Sequence, residues 1–335
     1  MSASLRSPNR ASRARSQDGR EPLVIGLVNN MPDAALQTTE RQFGELLCAA
    51  GTDYDIRLRL FSFPELIRGE VGRAYVADNY EPIDQLWAGE FDGLIVTGAE
   101  PRTAAIPDEL YWRSLTRLVD WANDAATPTV WSCLAAHAAV LHLDGIQRRR
   151  LGQKISGVFR CTKTGDHPLV SDLPPSWRLP HSRYNTLDAA ALVAAGYEIM
   201  SFSDDAGADA FIQRRRAPFV FYQGHPEYDA GALFREYRRD VGRFLAGTAD
   251  SYPEMPRGYF DDEMARAFVA FRARAHGERT RELLEEFPGS DPRQSPAPWR
   301  DVAVRLYANW LSTLVAERQA AVVVATGPAA PASTT

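Results

Sequence analysis

Apolar positions along this chain follow two rhythms. Short, nearly unbroken apolar runs recur at Pro22 to Val28, Ile56 to Phe61, Asp92 to Ala99, Thr127 to Trp131 and Pro218 to Gln223. Runs of that length and density are typical of strands buried on both faces. Between them lie stretches with helical spacing. One runs from about Ala34 to Ala50 and stops at Gly51, where a helix commonly ends. Another runs from Asp108 to Asn123, with Leu110, Leu115, Leu118 and Trp121 apolar; a third runs from Leu134 to Leu143. Strands alternating with helices predict a parallel sheet covered on both faces. Residues 63–90 read as irregular, with a short helix near Ile83 to Leu86.

The rhythm changes after residue 155. Short β-rich pieces at Gly157 to Cys161, Tyr197 to Phe202 and Ala210 to Gln213 precede the Pro218 run. They predict antiparallel additions around the later part of the sheet. Helices are expected at about Ala230 to Leu245, Asp261 to Glu286 and Trp299 to Ala316. The predicted fold class is α/β: a mostly parallel sheet flanked by helices, with antiparallel additions and C-terminal helices.

Composition narrows this picture. The chain has 335 residues, 45% of them hydrophobic and 24% charged, which is ordinary globular material. One domain over 22–318 accounts for the pattern, with disordered tails at 1–21 and 319–335. The first tail is rich in Arg and Ser and lacks the apolar core of a secretory signal; the second is rich in Ala, Pro and Thr. A formal net charge of −5 gives no basic footprint for nucleic acid. No apolar run approaches the roughly 18 residues of a membrane span. Cys48, Cys133 and Cys161 show no paired spacing. That argues against a disulfide framework or a cysteine-based zinc site and fits a reducing, cytoplasmic compartment. There is no Gly-rich phosphate loop and no HExxH metal motif, so neither a metal nor a permanently bound cofactor is expected.

Two strand ends carry candidate chemistry. Cys133 stands where the Thr127 run meets the Leu134 helix. A thiol there gains from the free N–H groups and partial positive charge of the helix start. The simpler alternative is a buried Cys acting as a small hydrophobe. At the end of the Pro218 run stands Gly224-His225-Pro226-Glu227. Pro226 keeps His225 out of the α region, so a base and a carboxylate two residues apart can face one site. Cys, His and an orienting acid are the parts of a thiol nucleophile system. Against this stands a surface turn whose His and Glu are merely solvated.

Six segments, in order, resemble the homoserine O-acyltransferase family of methionine biosynthesis, of the homoserine O-succinyltransferase type. They are Asn30-Met31-Pro32, Phe91 to Ala99, Cys133 at its turn, Pro180-His181-Ser182-Arg183-Tyr184, Gly224 to Asp229, and Trp299-Arg300 with Asn309-Trp310-Leu311. The resemblance implies a class I glutamine amidotransferase-like, flavodoxin-like fold. It implies Cys133 as acyl-accepting nucleophile, His225 as general base and Glu227 as the acid orienting it. Lys154, Ser182 and Arg239 match substrate contacts, Arg239 offering a fork to an amino acid's carboxylate; the alternatives are solvated charges and a turn residue. The implied co-substrates are homoserine and an acyl-CoA, succinyl-CoA or acetyl-CoA, and a homodimer is among the partners that family membership allows.

The chain departs from the family pattern at three places. Asp33-Ala34-Ala35 follows Met31-Pro32 where the family carries lysines suited to CoA phosphates. His137 replaces a usual Gln near the nucleophile. Glu100-Pro101-Arg102 occupies the segment that tracks acyl choice, and the Arg102 guanidinium suits a succinyl carboxylate or points to solvent. Serine as acceptor, a glutamine amidotransferase or thiol hydrolase, and a non-catalytic binding protein on the same scaffold are the rival functions.

Overall fold

The computed structural model describes residues 21–99, 101–292 and 297–326. Nine strands form one sheet. They are β1 (Leu23–Val28), β2 (Ile56–Phe61), β3 (Gly93–Thr97), β4 (Thr129–Ser132), β5 (Arg149–Lys163), β6 (Ser176–Thr186), β7 (Glu198–Ser203), β8 (Gly207–Arg214) and β9 (Pro218–Tyr222). Their order across the sheet is β2-β1-β3-β4-β9-β8-β7-β5-β6. The first five in that order run parallel and the rest are joined antiparallel. The parallel sheet and its antiparallel extension therefore match the expectation.

The strands of the parallel half are apolar because helices cover both faces. On one side α1 (Asp33–Ala50) packs with the long C-terminal helix α9 (Arg300–Thr326). Phe43 of α1 and Tyr307 of α9 meet with ring centroids 6.4 Å apart. A Cβ at Gly93 would sit 2.9 Å from Trp310, so α9 lies directly against β3. On the other side α4 (Trp112–Asp124) and α5 (Leu134–Asp144) bury Leu115, Leu118, Val119 and the Ala-rich face of α5 against Val96, Trp131 and Phe221. A third apolar cluster joins α7 (Ala232–Leu245) to α8 (Asp262–Gly277) through Tyr237, Phe268 and Phe287.

Several elements differ from expectation, each for a physical reason. Residues 63–90 hold a full helix, α2 (Glu70–Asn79), besides the short α3 (Asp84–Trp87). Only Gly72 of α2 is buried, so the helix carries no apolar stripe to read. It is held from outside, by Tyr75 donating to Glu40 of α1 at 2.9 Å. Strand β6 escaped notice because it contains Pro180, which is tolerated on an edge strand. The small helix α6 (Ala189–Ala194) was missed as well. The expected helix from Asp261 to Glu286 stops at Gly277, and a 3-10 turn at Glu282–Glu286 follows. Helix α9 runs to Thr326, past the boundary set at 318. The tail expected at 319–335 is thus helical through residue 326, because no Gly or Pro interrupts the run before Gly327-Pro328. The rest of that tail, and residues 1–20 of the other, lie outside the described residues. No described helix is long and apolar enough to cross a membrane.

Candidate active site

Strands β4 and β9 are parallel neighbours, with Ser132 opposite Tyr222. Each strand ends where its neighbour does, so Cys133 and the Gly224-His225 turn emerge together at one edge of the sheet. Cys133 has φ 51° and ψ −112°, a strained geometry for a residue with a Cβ. It is fixed by its N–H donating to Tyr222 O at 2.7 Å, and by α5 beginning at the next residue. Gly98 closes the other side. A Cβ there would lie 2.5 Å from Leu134 Cβ and 3.0 Å from Leu134 N, so only glycine lets the end of β3 meet the start of α5.

His225 and Glu227 are 7% and 4% exposed, which removes them from the solvated-turn alternative. His225 Nδ1 is 2.8 Å from Glu227 Oε1. The ring lies within electrostatic reach of Cys133 and stacks on Tyr228, centroids 4.2 Å apart at 16°. The backbone N–H of His225 donates to Pro180 O at 2.8 Å, which ties the turn to β6. Burial opposes a charged ring here, yet the Glu227 carboxylate and a thiolate at Cys133 outweigh it and hold the His225 pKa well above the ordinary imidazole value. The buried carboxylate thus favours an imidazolium beside the Cys133 sulfur, an arrangement suited to thiol chemistry.

Beside this cluster opens a cavity of about 730 Å³. Cys133, His225, Glu227, Lys154, Ser182, Arg239 and Arg102 all line it, so every site residue expected from sequence reaches one chamber. Lys154 Nζ lies 2.8 Å from Asp240 Oδ2 and 3.5 Å from Glu236 Oε2. Arg239 Nε donates to Asp240 Oδ1 at 3.0 Å. Ser182 Oγ donates to Glu236, whose other oxygen accepts from Tyr228 OH at 2.7 Å. Burial works against charge on Glu236, but Lys154 and Arg239 prevail and draw its pKa down to about 2. Arg102 is exposed on the cavity wall, and its N–H donates to Glu109 Oε1 at 2.7 Å.

Sequence inspection missed Glu236. A usable signal was present: Glu236 stands one helical turn before Arg239 and Asp240, so all three share one side of α7. Asp33, at the first position after Met31-Pro32, is committed elsewhere. It accepts from Arg68 at 3.0 Å and from Gly69 N at 2.7 Å, tying α1 to the segment before α2. His137 is 2% exposed and its Nε2 lies 2.9 Å from Gln223 Oε1. Burial, reinforced by the Arg183 charge, drives its pKa down to about 3, so the ring is neutral.

A doubly covered sheet with a cysteine at a strand–helix turn and a His–Glu pair at the neighbouring strand end defines a class I glutamine amidotransferase-like fold. The crystal structure of a glutamine amidotransferase from Methylobacillus flagellatus shares the fold, with a TM-score of 0.50 at 16% identity over 87% of this chain and 94% of that one. The chain itself belongs to the homoserine O-succinyltransferase family, whose model matches residues 6–321. A homoserine O-succinyltransferase of Rhodopseudomonas palustris is 47% identical, covering 93% of this chain and 92% of the relative. One from Methylorubrum extorquens is 46% identical, covering 89% and 88%. The protein is therefore an acyltransferase of methionine biosynthesis by family.

Proposed function

We propose that this enzyme moves a succinyl group from succinyl-CoA to the hydroxyl of L-homoserine through a thioester on Cys133. The observation that carries the mechanism is Cys133 at its strained turn, lining one cavity with a buried His225 that is itself bonded to Glu227. The names of the relatives favour succinyl-CoA over acetyl-CoA and homoserine over serine.

In the first half-reaction the Cys133 thiolate attacks the thioester carbonyl. The oxyanion is met by the Leu134 N–H and one N–H of the Gly98-Ala99 loop. The C–S bond to CoA breaks, and CoA departs as the thiol with the His225 proton. The neutral imidazole then takes the hydroxyl proton of homoserine as its oxygen attacks the Cys133 thioester. Breaking that bond returns the thiolate and leaves His225 protonated, which restores the starting ion pair. Glu227 fixes the ring and offsets its charge throughout.

The chamber beyond the thiol suits a zwitterionic amino acid. Arg239 and Lys154 offer cations to its carboxylate, Glu236 offers an anion to its ammonium group, and Ser182 stands among them. The substrate would exchange with the internal ion pairs these groups make in its absence, so their desolvation is already balanced. The test is mass spectrometry of enzyme mixed with succinyl-CoA alone. One succinyl mass on the peptide containing Cys133, discharged by homoserine, is expected. A label on Cys48 or Cys161, an active Cys133→Ala, or glutaminase activity in place of acyl transfer overturns the proposal.

A further inference from the structure

Arg148 sits between α5 and β5, lines the same cavity, and has no role in the chemistry above. Its Nη2 reaches Ala104 O at 3.4 Å, whereas Nη1 is buried with no hydrogen-bond partner among the described residues. The hydroxyl of Tyr111 is likewise buried and has no hydrogen-bond partner among the described residues. Burial pulls the Arg148 pKa below the usual guanidinium value, even with Tyr111, Glu109 and Cys133 opposing that fall. A half-buried cation that makes no ion pair among the described residues, on the wall of the cavity that holds the nucleophile, is set to receive an anion.

The wall beside it is rigid. Glu109 is buried, and its Oε1 accepts from Arg102 N at 2.7 Å, Thr103 N at 2.8 Å and Thr103 Oγ1 at 2.7 Å. One carboxylate oxygen thereby fixes the 101–105 segment that presents Ala104 O to Arg148 and Arg102 to the cavity. Arg150 and Arg102 also line the chamber, but both are exposed, where a charge pair counts for little.

We propose that Arg148 is the anchor for the distal carboxylate of the acyl group on Cys133, with Glu109 as a positioning residue for the surrounding wall. The inference rests on the succinyl transfer proposed above and names the subsite that reads its charge. Sequence inspection gave that role to Arg102; the buried, unpartnered donor belongs to Arg148.

The experiment compares succinyl-CoA with butyryl-CoA, whose acyl chain has the same number of carbons and no carboxylate. Single-turnover acylation of Cys133 is followed by mass spectrometry in the wild type, Arg148→Gln and Arg148→Lys, with thermal melts confirming the fold. The wild type is expected to favour succinyl. Arg148→Gln should lower the succinyl-to-butyryl rate ratio at least 10-fold, and Arg148→Lys should recover part of it. An unchanged ratio overturns the assignment. Equal losses with both donors, accompanied by weaker inhibition by free CoA, overturn it in favour of a contact to CoA phosphates. Should Arg148→Gln unfold, the Lys variant decides through its ratio alone. A wild type that takes no succinyl rejects the succinyl transfer itself, and this subsite falls with it.

Discussion

At the scale of single residues, the proposed chemistry rests on the pairing of His225 with Glu227 beside Cys133. The raised His225 pKa depends on Glu227, whose Oε1 is 2.8 Å from Nδ1. Glu227→Gln keeps the shape and removes the anion, so the imidazole should titrate at lower pH, observable by NMR of labelled histidine. Removing either residue should lower turnover by about 10²-fold or more, the usual scale of a general base. The double variant should cost little more than His225→Ala alone, because residues acting as a unit do not add. Multiplicative losses, or an unmoved His225 titration, would place the action of Glu227 elsewhere.

At the scale of elements, α7 delivers polar side chains to the cavity beside Cys133. Glu236, Arg239 and Asp240 stand on one side of the helix, while Phe234, Tyr237, Val241 and Phe244 pack into the cluster shared with α8. The helix is thus held by its apolar face and leaves Glu236 and Arg239 to line the cavity. Glu236→Gln should raise KM for homoserine about 10- to 100-fold, the scale of losing a charge-assisted hydrogen bond. Acylation of Cys133 by succinyl-CoA should change far less. If acylation falls as much as homoserine use does, Glu236 acts through Tyr228 and His225 and does not bind the ammonium group.

At the scale of the whole molecule, a layer of buried polar groups lies where the parallel and antiparallel halves of the sheet join. His137, His181, Arg183, Asp209 and Gln223 are all buried there. His137 is neutral in the fold, with its pKa lowered to about 3 from an ordinary 6.5. A lowered folded pKa contributes stability above the unfolded value and loses it as pH falls toward the folded one. The relevant window is therefore pH 6.5 down to about 3, with a loss of roughly 1.4 kcal/mol per pH unit once below 6.5. His137→Gln has no proton to gain. Denaturant unfolding measured from pH 7 to pH 5 should show a shallower decline for that variant. Parallel declines would mean that His137 titrates alike in folded and unfolded chains.

The sequence by itself determined the sheet half that is buried on both faces, because such strands are apolar throughout and need no context to be recognised. It also determined the strand–turn–helix at Cys133 and the stiff His225-Pro226-Glu227 turn, since both depend on local backbone preference. The tertiary structure decided what local preference does not encode. Helix α2 has no apolar stripe and forms because α1 supports it. Strand β6 carries Pro180 and survives because it is an edge. Parallel pairing of β4 with β9 set Cys133 beside His225, 92 residues apart in sequence, a neighbourhood that only register creates. The unpartnered Nη1 of Arg148 was invisible in a run of three arginines, because whether a cation is solvated or left without counter-charge is fixed by burial, and burial belongs to the folded molecule.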